Sequence, residues 1–164
     1  VPGEAQTELA GPLTLGVSFV APGARIDVDV KIAEECSVWF GTVVRGDVEL
    51  EARANVQDNC IVEGPTRIGA GTSLGHNARV YGATIEERSL IAIGATVLPG
   101  AHVGTHSIIA ANATVPEGMR VPPRSLVVGQ GRILRQVTEA EIERIDRGAG
   151  DYARLTREYA SLTR

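Results

Sequence analysis

Residues 56–80 read VQDNCIVEGPTRIGAGTSLGHNARV, with an aliphatic side chain at the first position and at every sixth after it: Val56, Val62, Ile68, Leu74 and Val80. Extended backwards, the same register collects Val20, Ile26, Ile32, Val38, Val44 and Leu50 without a miss. Extended forwards, it slips by one residue and resumes as Ile85, Ile91, Val97, Val103, Ile109, Val115, Val121, Val127 and Ile133. A helix repeats every 3.6 residues and a strand every two, so neither period selects a six-residue register. Two residues before most anchors stands a small side chain, as at Ala24, Cys36, Thr42, Ala54, Cys60, Ala78, Ala95 and Ala113, with Val30, Val48 and Met119 as larger exceptions. A large plug and a small filler in each hexad describe a narrow triangular prism. Three hexads make one 18-residue coil, each face carries one short parallel strand, and stacked coils bury a continuous apolar column.

The expected fold is therefore an all-β solenoid, a parallel β-helix of six to seven coils over residues 19–135. Residues 1–18 lack the register and are expected to form an entry segment that caps the first coil. The slip after Val80 predicts a tight corner at Gly82. Beyond Ile133 the pattern changes to that of a C-terminal helix over 136–164. Thr138-Glu139-Ala140-Glu141 is a capping box. Ile142, Ile145, Ala149, Tyr152, Leu155, Tyr159 and Leu162 make one apolar stripe at three- and four-residue steps, suited to docking along the outside of the prism. Gly148 and Gly150 are expected to weaken or kink this helix between two segments.

Composition narrows the function. The 164 residues carry a net charge of −4, which argues against a nucleic-acid or anionic-membrane surface. No apolar run is long enough to cross a bilayer, and no basic-then-apolar leader opens the sequence. Cys36 and Cys60 form no CxxC and occupy filler positions, which fits inert core thiols and a cytoplasmic location.

The coil length also says which polar residues meet. Positions 18 apart stack about 4.8 Å from each other on one face. Arg45, Glu63 and Tyr81 form such a column, each following its anchor by one residue and so pointing outward. Asp58 and His76 make a second pair at the neighbouring corner, with Asp47 and Gln57 close in sequence. An arginine, a carboxylate and a phenol in one column, beside a histidine and further carboxylates, make a candidate site. The bland alternative is a polar outer face in which Arg45–Glu63 is a ladder pair worth about 0.2–1 kcal/mol. His102 and His106 have no candidate partner in a matching column and are expected to be surface residues.

The segments SVWFGTVVRGDVELEARANVQDNCIVEG (37–64), GHNARVYG (75–82) and VPPRSLVVGQGRILRQVTEAE (121–141) resemble the γ-class carbonic anhydrase family of hexapeptide-repeat proteins, over about residues 10–160. The resemblance implies a left-handed β-helix and a homotrimer. It implies that Arg45, Asp47 and Gln57 are site or interface residues, with Trp39 and Phe40 buried between subunits. It also implies a metal, usually zinc, held between two subunits by three histidines in the patterns NxQDxxxxH and GHxxxxHG. Carried over, those ligands fall on Glu63, His76 and Tyr81, so one histidine of three survives. Zinc sites of this kind use three histidines, or two histidines and a glutamate, plus an open position for water. Ordinary zinc carbonic anhydrase chemistry is therefore not expected, and no metal or other cofactor is assigned. What remains is a metal-independent enzyme at the trimer interface. Glu63, His76 and Tyr81 would be its acid–base groups, and Arg45, Asp47 and Gln57 would bind a small carboxylate or acyl substrate. The alternatives are a non-catalytic trimer, an atypical Glu/His/Tyr metal site, and a hexapeptide acyltransferase.

Overall fold

A computed structural model of the chain describes residues 13, 14 and 16–162. The anchors form its axis: Val38, Val44, Leu50, Val56, Val62, Ile68, Leu74 and Val80 are all fully buried, as are the fillers Cys36, Ala54, Cys60 and Ala78. Because the column is shared, each coil covers the apolar side chains of the next. The chain is a left-handed parallel β-helix of about six turns with a C-terminal helix. One face, here A, holds seven strands from Leu13–Thr14 to Arg120–Val121. Face B runs from Phe19–Val20 to Ser125–Val128, and face C holds six strands from Arg25–Ile26 to Thr114–Val115.

The slip is where the spacing puts it. Thr66–Ile68 pairs with Val48–Leu50 at the full coil length, whereas Arg67 pairs with Thr84 and Ile68 with Ile85, one residue short of a coil. The shortened corner is Gly82, at φ 54°, with its N–H donating to the Glu63 carbonyl at 2.9 Å. That left-handed conformation costs glycine little.

At its far end the register departs from expectation. Ile133 is not a buried anchor; it lies on Arg132–Gln136, which returns antiparallel to Ser125–Val128, and it is 45% exposed. Stacking therefore ends at Val127. A chain that reverses direction keeps a strand edge paired but cannot aim its side chain into the column. Of the expected entry segment, residues 1–12 and 15 lie outside the described residues, while Leu13–Thr14 pairs with Lys31–Ile32 on face A.

The helix is one uninterrupted element, Glu139–Leu162. Its capping box forms as read: the Glu141 carboxylate accepts the Thr138 N–H at 2.8 Å, and Thr138 Oγ1 accepts the Glu141 N–H at 3.2 Å. Gly148 and Gly150 do not divide it. Each glycine costs about 1 kcal/mol, which docking of Ile142, Ile145, Ala149 and Ala153 against face B outweighs. The stripe ends before Leu162, which is 78% exposed. Further along, Tyr152 and Tyr159 close over Trp39, with ring centroids at 5.6 and 5.2 Å, and Phe19 joins them at 5.1 Å. Trp39 is thus buried inside its own chain, at 7% exposure, and not held in reserve for a subunit contact; Phe40 stays exposed. Ion pairs Arg124–Glu139, Arg88–Asp146 and Arg157–Glu35 fasten the helix along the corner between faces A and B. Among the described residues, no helix is long and apolar enough to cross a membrane.

Candidate functional site at the edges of face C

The strands Val43–Arg45, Ile61–Glu63 and Arg79–Tyr81 lie side by side on face C and end together. Arg45 is the registered partner of Glu63, and Glu63 of Tyr81. The middle residue of each strand, Val44, Val62 or Val80, is fully buried, and strand alternation turns its neighbours outward. Arg45 and Glu63 are joined by a guanidinium–carboxylate contact, with side chains 56% and 39% exposed. Asp47 follows at the next corner, where its carbonyl accepts the Thr66 N–H at 3.0 Å.

His76 lies at the other edge of the same face, on the corner between faces B and C. Its Nδ1 is 3.9 Å from the Asp58 carboxylate, an ion-pair distance longer than a hydrogen bond. Asp58 in turn accepts the Phe40 N–H at 3.2 Å. Gln57 belongs to face B, where its side-chain amide donates to Asn55 at 3.1 Å and Asn55 donates to Ser73 at 2.8 Å. The chain therefore brings Arg45, Asp47, Glu63 and Tyr81 to one edge and Gln57, Asp58 and His76 to the other. Five residues of strand and corner, up to about 16 Å at about 3.3 Å per residue, separate them.

Reading only 18-residue columns overlooks a further pair. His102 Nε2 stands 3.0 Å from Glu86 Oε1, so this histidine does have a partner. The Thr105 hydroxyl and backbone N–H hold the other Glu86 oxygen at 2.9 and 3.1 Å, and they push that carboxyl below its ordinary range, with His102 adding to the effect. The contact is diagonal, since Ile85 opposite Val103 places Glu86 two positions from His102 across the rung. A search of diagonal neighbours would have found it. His106 is not a free surface residue either: its Nε2 is buried without a hydrogen-bond partner among the described residues, and burial, with Arg88 nearby, lowers its pKa. Cys36 and Cys60 are free, buried thiols that donate to the Glu51 and Gly75 carbonyls, and burial pushes both up to about 12. Thiols so placed are poor nucleophiles and poor ligands.

A triangular parallel β-helix with polar residues stacked on successive coils defines a hexapeptide-repeat protein. Residues 82–117 match the family model described as bacterial transferase hexapeptide (six repeats). A carbonic anhydrase of Geobacillus kaustophilus is 37% identical over 159 residues, spanning 92% of this chain and 87% of that protein. Gamma carbonic anhydrase 1, mitochondrial, of Arabidopsis thaliana is 35% identical over 164 residues, though the chain spans only 60% of its length. The solved structure of a hexapeptide transferase family protein from Anaplasma phagocytophilum superposes with a TM-score of 0.83 at 32% identity, covering 90% of this chain and 92% of that one. The chain belongs to the γ-class carbonic anhydrase family.

The zinc that membership implies does not suit the donors present. Glu63 is already engaged by Arg45, a phenol must lose its proton before it can ligate, and one imidazole remains.

Proposed function

We propose that this protein is a γ-carbonic-anhydrase-like enzyme that works without the family's zinc, carrying out acid–base chemistry on a small carboxylate or acyl substrate at a homotrimer interface. Glu63 and His76 of an adjoining copy exchange the proton, and Tyr81 donates a hydrogen bond to the oxygen on which negative charge develops. Arg45 anchors the substrate's anionic group with Asp47 beside it, and Gln57 joins them from the same adjoining copy as His76. The observation that supports this reading most is the column itself. Guanidinium, carboxylate and phenol stand on successive rungs at one edge of face C, while the histidine stands at the opposite edge. In the proposed trimer an adjoining copy brings its imidazole to that column. The reading is tested by light scattering for the trimer and by screening small acyl esters, thioesters and carboxylates with Glu63→Gln, His76→Ala and Tyr81→Phe. Each variant is expected to lower turnover by about 100-fold or more while keeping the trimer. A stable monomer, or three active variants, overturns it.

A second reading has an observation of its own. The Arg45–Glu63 contact is complete within one chain, as a purely structural ladder pair would be, which supports a non-catalytic trimer. In that case the three substitutions leave nothing to lose.

A further inference from the structure

Between the helix and face B runs an apolar slot that shares only Gln57, at its far end, with the candidate site. Its floor is the outward column Leu90, Ile108 and Leu126, half-buried on successive coils, and its roof is Ile145, Gly148 and Tyr152. It is a half-open groove of about 350 Å³ that continues towards Ser73 and Gln57. From Leu126 to Ser73 is three rungs of about 4.8 Å each, a length that suits a medium alkyl chain.

Two features make this more than a gap left by imperfect packing. Gly148 sits mid-helix without positive φ, and a β-carbon built there would touch nothing within 4 Å. Neither backbone conformation nor close approach requires a glycine there; Gly150 shares that freedom, but only Gly148 lines the slot, where its missing side chain leaves space. Arg144 lies on the rim, and it has no carboxylate partner among the described residues, whereas Glu141 beside it is bound by Arg135 and Thr138. An apolar slot with one unpaired cation at its rim is complementary to an amphiphile with an anionic head.

We propose that the slot binds the alkyl chain of a free aliphatic carboxylate, with Arg144 taking the head group. This does not depend on the chemistry assigned to Glu63. Trp39 is the built-in reporter, because it packs edge-on against Tyr152 in the slot wall. Titration with octanoate and decanoate is expected to give a saturable change in Trp39 emission, with decanoate binding more tightly. Arg144→Gln is expected to weaken decanoate about tenfold, the scale of a charged hydrogen bond, and to leave decanol unchanged. Gly148→Leu fills the slot and replaces a poor helix former, so it is expected to abolish binding while raising the Tm of the free protein. Gly148→Ala, a smaller change, is expected to weaken binding several-fold and serves if leucine perturbs the fold. The proposal is overturned by no saturable response, or by affinity indifferent to Gly148. It is also overturned if Gly148→Leu lowers the oligomer mass in light scattering without any ligand effect in the native protein, which would show the slot to be filled by a second copy.

Discussion

Replacing both Glu63 and Tyr81 by histidine tests whether this column sits where the family holds its metal. The two positions are registered partners on adjacent rungs, about 4.8 Å apart, a spacing from which two imidazoles can reach one ion at about 2.0–2.1 Å per bond. Glu63→His/Tyr81→His removes the Arg45–Glu63 contact, whose exposure limits its contribution to about 0.2–1 kcal/mol. For a domain of this size that is a loss of up to about 4 °C in Tm with chelator present. Zinc at a hundredfold excess over its dissociation constant contributes about 2.7 kcal/mol, a gain of about 5–11 °C. The sign of the effect should therefore reverse between chelator and zinc. Differential scanning fluorimetry in both conditions, with elemental analysis of the dialysed protein, reads the two quantities directly. Adding His76→Ala should remove the zinc response if, as proposed, the neighbouring copy supplies the third imidazole. A double variant whose Tm ignores zinc refutes the placement of the column, and a response that survives His76→Ala refutes the shared site.

Three further outcomes follow from the fold. Glu141 is held near pKa 2 by Arg135 and Thr138, Asp146 is lowered by Arg88, and Glu35 by Arg53 and then Arg157. Carboxyls depressed in this way stabilise the docked helix above the ordinary carboxylate range, and they lose that contribution as pH falls from about 4.5 towards 2. Trp39 emission should therefore report helix release within that window, ahead of loss of β circular dichroism. Cys36 and Cys60, raised to about 12 by burial, should resist thiol reagents in the native protein and react on unfolding; their contribution to stability is intact below about pH 8.5 and declines as pH rises towards 12. Ile85→Ala, at the first anchor after the shortened corner, should cost about 2–5 kcal/mol in urea denaturation, because its cavity is walled by neighbouring coils that cannot close on it.

The hexad register was legible because it answers to one local rule: in a prism this narrow, one side chain per hexad can point to the axis, and it must be aliphatic. That rule placed Val44 through Val80 in the core and Arg45, Glu63 and Tyr81 on one column, and the break in it located Gly82. Ile133 shows its limit, since an aliphatic residue in register does not reveal that the chain has turned back.

What only the tertiary structure decided concerns groups whose partners are not set by coil length. Trp39 finds Tyr152 and Tyr159 on a helix more than a hundred residues away, and Glu86 finds His102 on a diagonal. The slot over Leu90, Ile108 and Leu126 lies under a helix that presents Ile145, Gly148 and Tyr152 to it, residues far from these coils in sequence. A six-residue period determines what stacks along the axis of this protein. Which faces are then covered, and how closely, depends on how the 24-residue helix Glu139–Leu162 docks, and that is settled by shape and charge across the surface of the finished coil.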